Sequence, residues 1–299
     1  MLSSFRRCLS TYVLGSKARE LSRLGIQHGV FGGRTRDLYQ TLNVQRGDSV
    51  IDLGCGPGFT TLELAQIVGS SGTVFAMDSS LTSLQVLSKR AEREGWIPTS
   101  FCRLEHQDFG AIVLCSGNAT KPETWRMFQE TPVDKIFCRW LLTWLGHSDV
   151  ARIHDYMTIC TKPNGKVGVF DYFNVATFDV VSHNANGAPR WHHLRDVLLD
   201  EWNHVGNPSV CSTVPSHLSD RGFIICELRP LAPIVRPFDS MWVWPTTYFQ
   251  TQAKRLVETG IIQDKKFVEE FDIEWELVSK DKAAWYCPPM MATVVGQKQ

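Results

Sequence analysis

The sequence predicts an α/β fold, a doubly wound and mainly parallel sheet of seven strands with inserted helices that form a cap. Three observations predict it. Short apolar segments alternate with helical segments of about 10 to 15 residues, which is typical of a parallel sheet covered on both faces. A glycine-rich turn follows the first apolar segment at residues 54–58. The second half of the chain breaks the alternation and adds helices, which we assign to the cap.

The chain begins with a helical pattern. Apolar residues recur at helical spacing over positions 16–42, from Leu21 to Leu42. The stretch HGVFGG at 28–33 introduces three glycines into this pattern. Because glycine interrupts helices, we predict two helices with a flexible joint between them.

Strands and helices then alternate. The predicted strands are DSVIDLG (48–54), GTVFAMD (72–78), TSFCRLEHQD (99–108), VDKIFCRWLL (133–142) and KVGVFDYF (166–173). The predicted helices between them are TTLELAQIVG (60–69), LTSLQVLSKRAEREG (81–95) and SDVARIHDYMTICTKPNG (148–165). Residues 110–131 form a polar insertion to which we assign no element.

The second half contains further helices and two more strands. The predicted helices are PRWHHLRDVLLDEWNHVG (189–206), VPSHLSDRG (214–222), MWVWPTTYFQTQAKRLVETG (241–260) and DKKFVEEFDIEWELVSKD (264–281). The sixth strand begins in FIICELRPLAPIVRPF (223–238) and the last is MMATVVGQK (290–298).

Composition excludes several classes of function. Lys plus Arg and Asp plus Glu each number 31, so no uniform field exists to hold nucleic acid or an acidic membrane surface. The nine cysteines are scattered without a C-x-x-C pair, which indicates reduced core residues. A zinc site would need clustered ligands, so we predict no metal. No apolar run reaches the roughly 18 residues that a membrane span requires.

The first nineteen residues carry four basic side chains and no acidic one before Glu20. This composition fits an organelle transit peptide as well as a first amphipathic helix. We expect a cytoplasmic protein, with mitochondrial import as the alternative.

The loop DLGCGPG at 52–58 has the composition of a ligand cradle. Gly54, Gly56 and Gly58 lack a Cβ, so the backbone can adopt positive φ and approach a ligand beside the N-terminus of the next helix. A dinucleotide fingerprint would need its third glycine at position 59, where Phe59 stands, and this favours another ligand. Asp78, at the end of the second strand, can accept both hydroxyls of a ribose.

These residues resemble the first motif of the class I S-adenosylmethionine (SAM) dependent methyltransferases, D/E-x-G-x-G-x-G, which is matched in full at Asp52, Gly54, Gly56 and Gly58. The resemblance implies a Rossmann-like fold with SAM as cofactor. It implies that the loop, Cys55 included, approaches the methionine part and that Asp78 with Ser79 binds the ribose. The other residues that it implies lie on the adenine side: Asp108 at the amino group, with Phe109 and Met77 flanking the ring.

The wider frame resembles the small-molecule subgroup of ubiquinone- and menaquinone-type methyltransferases. The similar segments are residues 24–58, VDKIFCRWLLTWLGH and KPNGKVGVFDYF, where PNG replaces the usual PGG. The segment 110–131 is longer than the resemblance leads us to expect. We divide the chain accordingly: 1–45 a helical segment that is part of a lid, 46–174 the SAM-binding core, 175–262 acceptor-side helical insertions with one core strand, and 263–299 the last helix and strand.

Several residues are candidates for the acceptor side. Arg139 and Trp140 end the fourth strand, where Arg139 could bind the carboxylate of SAM, an acidic acceptor or a neighbouring acid. Gln27 and His28 could belong to a lid or simply end a helix. The candidate pocket residues are His183, Trp191, His192, His193, Trp202, His204, Trp242, Trp244 and Tyr248.

A neutral imidazole makes a good general base near pH 7, so His192 or His193 is our first choice for a catalytic residue. Asp171 and Tyr172, at the end of the fifth strand, are the second choice. The carboxylate set of metal-assisted catechol methylation and the motifs of base methylation are missing from the sequence.

We therefore predict a metal-independent SAM methyltransferase that acts on a small, partly hydrophobic acceptor at oxygen or a ring carbon, and not on nucleic acid. The alternatives are a SAM-binding subunit without catalytic activity, a SAM-binding cyclase, and a nicotinamide oxidoreductase, which Phe59 disfavours.

Overall fold

The computed structural model describes residues 18–96, 100–101, 106–108 and 111–299. Phe109 and all but the last two residues of the basic segment 1–19 lie outside these ranges. The helices are α1 (Ala18–Leu42), α2 (Phe59–Val68), α3 (Leu81–Arg93), α4 (Pro122–Glu130), α5 (His147–Cys160), α6 (Pro189–Val205), α7 (Val214–Ser219), α8 (Val243–Glu258) and α9 (Phe267–Lys280).

The strands are β1 (Ser49–Leu53), β2 (Thr73–Asp78), β3 (Ser100–Phe101), β4 (His106–Asp108), β5 (Ile112–Ser116), β6 (Val133–Arg139), β7 (Thr161–Asn174), β8 (Asp179–Val181), β9 (Phe223–Leu231), β10 (Trp285–Cys287) and β11 (Met290–Lys298).

One large sheet organises the fold, in the order β3-β4-β5-β2-β1-β6-β7-β11-β9. Its main body consists of seven strands from β5 to β9, the number predicted, and the short antiparallel strands β3 and β4 extend one edge. The strands from β5 to β7 are parallel, whereas β11 runs antiparallel to both β7 and β9. The fold class predicted from the sequence is confirmed.

Both faces of the sheet are buried, which explains why its central strands are almost continuously apolar. One apolar cluster joins α1, α2, α3 and the cap to the sheet, with Phe31, Leu64 and Leu87 among its members. The other joins α4, α5 and α7 to the opposite face, with Trp125 and Ile153 among its members.

The prediction for the third strand was wrong. The third strand of the parallel sheet is β5, which lies within the segment to which we assigned no element, and α4 follows it in the same segment. The apolar run of β5 is only five residues long, and Trp125 and Phe128 of α4 are buried at helical spacing within a polar segment. The predicted strand 99–108 instead contains β3 and β4 of the edge hairpin.

The flexible joint was also wrong, because α1 runs unbroken through the glycines at 29, 32 and 33. Glycine costs only about 1 kcal/mol in a helix interior. The buried side chains of Phe31 and Leu38 pack this helix onto the sheet, and such packing outweighs that cost.

The cap consists of α6, α8 and α9 with the two-stranded sheet β8–β10. Its helices agree with the predicted ones, and α1 packs against α8. Among the described helices, none combines the length and apolar character that crossing a bilayer requires.

Candidate cofactor and acceptor site

The glycine-rich loop lies where the strand order of the sheet reverses. Strand β1 has β2 on one side and β6 on the other, so the loop that follows Leu53 opens at the crevice between two diverging connections. In open α/β sheets this is the usual position of a bound ligand.

The three glycines of the loop have different surroundings. All have positive φ, at 72° for Gly54, 55° for Gly56 and 79° for Gly58. A Cβ at Gly58 would come 2.1 Å from Cδ1 of Leu87, and one at Gly54 would come 3.0 Å from Cβ of Leu141. A Cβ at Gly56 would meet no atom within 4 Å. Gly54 and Gly58 therefore serve packing, and Gly56 is the open point of the cradle.

Asp78 ties the loop to the end of β2. Its Oδ2 accepts the backbone N–H of Gly56 at 2.9 Å, and its Oδ1 accepts that of Ser80 at 2.8 Å. Burial raises the pKa of Asp78, although backbone hydrogen bonds, including one from Ser79, oppose the shift. A carboxylate has about four acceptor positions, so capacity for ribose hydroxyls remains.

Asp52 and Cys55 point inward. Asp52 is 1% exposed, and its Oδ2 accepts the hydroxyls of Thr60 at 2.8 Å and Thr61 at 2.6 Å. Burial raises the pKa of Asp52 to about 6. Cys55 is buried beside the loop, with its Sγ 3.6 Å from the carbonyl oxygen of Gly56. Asp52 therefore fixes the end of β1, just before the loop, to the start of α2.

The adenine side differs from what the resemblance implied. Asp108 lies on the edge strand β4 opposite Val113, three residues before the end of β5. That offset is about 10 Å along a strand, so Asp108 is not at the carboxyl end of the third parallel strand. Asn118, just beyond Ser116, occupies that end, and Met77 is buried in the core.

Helix α1 covers the loop from the other side. The His28 ring stacks on Phe59 with centroids 5.2 Å apart, and a Cβ at Gly25 would lie 3.3 Å from the same Phe59 ring. Arg90 of α3 lies 3.9 Å from the centroid of Phe59 and donates to the carbonyl oxygen of Pro57 at 2.7 Å. The start of α2 is thus held between α1 and α3.

Arg139 ends β6 close to this contact. In the described part of the chain it bonds the hydroxyl of Thr35 at 2.7 Å and Nδ1 of His28 at 3.2 Å, and it lies over the Trp140 ring. These partners do not neutralise the guanidinium as a neighbouring carboxylate would. Burial lowers the pKa of Arg139, and the negative charges of Asp52 and Glu63 oppose that shift.

An aromatic cavity lies beside Arg139, at the carboxyl ends of β6 and β7. It is lined by Arg23, Leu24, Gln27, Trp140, Trp144, Tyr172, Phe178, Trp202, Trp244, Tyr248, Tyr286 and Pro289. Trp140 joins the cavity to the loop, because the next residue, Leu141, packs against Gly54. Trp140 also has a positive φ of 53°, a strained conformation that is typical of functional sites.

The predicted pocket residues divide into two groups. Trp202, Trp244 and Tyr248 line the cavity, as does Gln27 of the predicted lid. The others lie outside it: His183, Trp191, His192, His193, His204 and Trp242.

The two histidines chosen as general base are not among the residues that line the cavity. His192 bonds the carbonyl oxygen of Ala188 through Nδ1 at 3.0 Å and lies 3.2 Å from Asp179 through Nε2. His193 is exposed and packs against the Phe267 ring. This cavity therefore lends no support to a catalytic role for either of them, and that role stays a prediction.

Asp171 is fully buried beneath the cavity. Its carboxylate accepts the backbone N–H groups of Tyr172 at 2.8 Å and Thr143 at 3.2 Å. Burial raises its pKa to about 7 against the effect of these bonds. Asp171 therefore positions the chain that follows β6, and it does not line the cavity.

Comparisons with known proteins agree with this geometry. Residues 45–186 match the family model described as a methyltransferase domain. Two demethylmenaquinone methyltransferases are similar, one from Anoxybacillus flavithermus at 28% identity over 138 residues and one from a Geobacillus species at 42% over 137. These matches support a class I SAM-dependent methyltransferase similar to the quinone-type ones. Each of these alignments covers 44% of this chain and 48% of the relative.

The fold extends further than the sequence similarity. The YcgJ protein from Bacillus subtilis superposes with a TM-score of 0.51 at 15% identity, covering 91% of this chain and 99% of that one. At this identity the likeness concerns the fold alone. The chain spans less than half the length of the curated relatives it matches first.

Some site residues escaped the sequence analysis. Arg23, Trp144, Phe178 and Tyr286 line the cavity, and Asn118 follows β5. The aromatic content of the chain, 11%, does not identify which rings line a cavity. The described residues contain no group of three or more His, Cys, Asp or Glu side chains that could hold a metal ion.

Proposed function

We propose that this methyltransferase moves the methyl group of SAM to a small, partly hydrophobic acceptor, at oxygen or a ring carbon, without a metal ion. The observation that carries the proposal is the aromatic cavity at the carboxyl ends of β6 and β7, the same edge of the parallel sheet at which the glycine loop follows β1. The balanced charge of the chain argues against nucleic acid as the acceptor. The similarity to demethylmenaquinone methyltransferases supports a small ring compound.

The residues fit the cofactor. The loop at Gly56 leaves room for the methionine part, Asp78 has acceptor capacity for the ribose, and Arg139 offers a cation to the carboxylate. We assign the adenine side to Asn118 rather than to Asp108, because Asn118 follows the third parallel strand. SAM supplies an activated methyl group on a sulfonium.

The protein's own contribution is positioning and exclusion of water. Methyl transfer from a sulfonium disperses charge, so a dry site that aligns the two reactants accounts for most of the rate. Helix α1 closes the loop side through His28, and the cap closes the aromatic side. We propose on this basis that residues 1–45 belong to a lid, that 46–174 bind SAM, that 175–262 cover the acceptor and add one core strand, and that 263–299 contribute α9 to the cap and the last strand to the core.

Incubation of the purified protein with methyl-labelled SAM and a cell extract tests this function. We expect label in a small molecule that gains the mass of one methyl group, and no label with the Gly56→Val variant. An unlabelled extract despite measurable SAM binding would contradict transferase activity and favour a SAM-binding subunit. A product without the added methyl mass would favour a cyclase.

A further inference from the structure

The guanidinium of Arg139 depends on helix α1 for its orientation. Strand pairing places Leu53 beside Cys138, so Arg139, the last residue of β6, lies level with the start of the glycine loop. Among the described residues, the side chains that hydrogen-bond it both belong to α1: the hydroxyl of Thr35 at 2.7 Å and Nδ1 of His28 at 3.2 Å. They are about two helical turns apart and therefore lie on one face of the helix.

The contact with Arg139 fixes the tautomer of His28. A guanidinium only donates hydrogen bonds, so Nδ1 of His28 accepts this one and carries no proton. The neutral ring then carries its proton on Nε2, which lies 3.4 Å from Oε1 of Glu63 on α2. Glu63 therefore favours the tautomer that can accept from Arg139, and His28 links β6 to α2.

His28 and Glu63 are themselves held in place. The His28 side chain is only 16% exposed, and its ring stacks on Phe59, the first residue of α2. Glu63 accepts the hydroxyl of Tyr39 at 3.2 Å and pairs with Arg36 at 3.3 Å. A residue that orients another side chain needs such support, because its own rotamer must be fixed first.

Arg139 retains capacity for a further ligand. Thr35 and His28 each take an N–H group from a different terminal nitrogen, and within the described ranges no carboxylate forms an ion pair with the guanidinium. The remaining N–H groups can bind a carboxylate in the planar, two-bonded manner that arginine favours. The Arg139 side chain is only partly buried and stands where the glycine loop leaves β1, so a carboxylate bound there has access to it.

We infer that His28 is a positioning residue that aims Arg139 at the carboxylate of SAM. This inference rests on the proposed function and specifies how one end of the cofactor is recognised. The neutral imidazole orients the guanidinium without neutralising it, which a carboxylate in the same place would do. Because His28 belongs to α1, full recognition of the SAM carboxylate requires this helix to lie against the loop.

Calorimetric titration with SAM and with decarboxylated SAM, without an acceptor, tests the inference. The two ligands differ only in the carboxylate, so the ratio of their dissociation constants reports on that group. We expect the parent to bind SAM about tenfold more tightly or better. His28→Phe keeps a ring for stacking on Phe59 and loses the acceptor at Nδ1. It should reduce the ratio about fivefold or more through weaker SAM binding, with decarboxylated SAM bound as by the parent.

A second variant separates positioning from packing. His28→Asn loses the ring but offers an amide oxygen close to the place of Nδ1, so it should retain most of the preference for SAM. In an Arg139→Met background, adding His28→Phe should change the ratio no further, because the two residues act as one unit. His204→Phe is the matched control, since His204 is exposed on α6 and contacts Asp200 of its own helix.

The outcomes distinguish the inference from the proposed function. An unchanged ratio in His28→Phe, an equal loss of affinity for both ligands, or a His28→Asn variant that behaves like His28→Phe would each overturn the inference alone. A parent that binds both ligands equally would overturn it too and leave SAM binding intact. A parent that binds neither would contradict the proposed function, and the inference with it. His28→Leu, which also lacks the acceptor, replaces His28→Phe if thermal denaturation shows that variant to be unfolded.

Discussion

At the scale of single residues, three buried or partly buried carboxylates fix the two loops of the site, the glycine loop after β1 and the segment after β6. Asp78 fastens Gly56, Asp52 fastens the start of α2, and Asp171 fastens the chain after β6. Each accepts N–H or O–H groups that would otherwise be buried without partners, which explains why charged groups are tolerated there. Burial raises the pKa of all three.

Asp171 makes stability depend on pH. Since burial raises its folded pKa from 3.8 to about 7, the folded chain keeps a proton on this carboxyl over a range where the unfolded chain releases it. The free energy of unfolding of the parent, relative to Asp171→Asn, should therefore fall as pH rises from about 4 to 7, by at most about 1.4 kcal/mol per pH unit. Chemical denaturation at several pH values measures this difference.

The matched control is Asp196→Asn, which removes the same charge from an exposed side chain. A difference between the parent and Asp171→Asn that stays constant from pH 4 to 7, or that grows in favour of the parent, would contradict the assignment.

The sequence was most informative where chemistry is local. The residues from Asp52 to Gly58 and Asp78 could be found because fixed spacing after a strand determines their positions. His192 and His193 could not be judged in this way. Their orientation depends on how α6 is rotated against α9, which Trp191, buried on the same helix, helps to determine.

At the scale of elements, long-range packing determines which segments form strands and helices where the local sequence pattern does not. The segment 99–108, predicted as the third strand, contains the edge hairpin β3–β4. The strand that pairs in parallel with β2 is β5. Helix α1 is continuous because its buried face is long enough to outweigh its glycines. Neither result follows from the helix or strand propensities of a short sequence segment.

The continuity of α1 predicts the effect of filling a glycine. Gly29 is exposed in this helix, and a Cβ there would meet no atom within 4 Å. Gly29→Ala should raise the free energy of unfolding by about 0.5 to 1 kcal/mol. Gly187→Ala is the control. A Cβ there also meets no atom within 4 Å, but the φ of 79° is unfavourable for alanine, so this variant should be less stable than the parent. Loss of stability in Gly29→Ala would restore the hinge hypothesis.

The attachment of α6 to α9 gives a second prediction. Glu274 of α9 accepts the backbone N–H groups of Arg190 at 2.9 Å and Trp191 at 2.7 Å, at the start of α6. Glu274→Gln replaces one of the two accepting carboxylate oxygens with an amide NH2 group, which faces a backbone N–H. It also removes a negative charge that stabilises the N-terminus of α6. The free energy of unfolding should fall by about 1 to 2 kcal/mol.

Thermal denaturation checks this expectation against Glu276→Gln, a neighbouring change on the exposed side of α9. Equal stability of the two variants would show that Glu274 does not hold the cap in place.

At the scale of the whole molecule, the site is assembled from distant parts of the chain. Its cavity draws on α1, on the ends of β6 and β7, on α6 and α8, and on β10 near the end of the chain. The family model ends at residue 186 and so does not reach several of these walls. Motif similarity therefore identifies the cofactor half, whereas the acceptor half depends on helices that no short motif describes.

The most direct test of the central claim is a calorimetric titration with SAM and with its demethylated product. The account predicts that the parent binds both, that NAD does not bind, and that Gly56→Val loses at least tenfold in affinity, about 1.4 kcal/mol. Gly260→Val controls for strain, because Gly260 has a φ of 74° and open surroundings away from the loop. Failure of the parent to bind either ligand, or equal binding by Gly56→Val, would contradict the account.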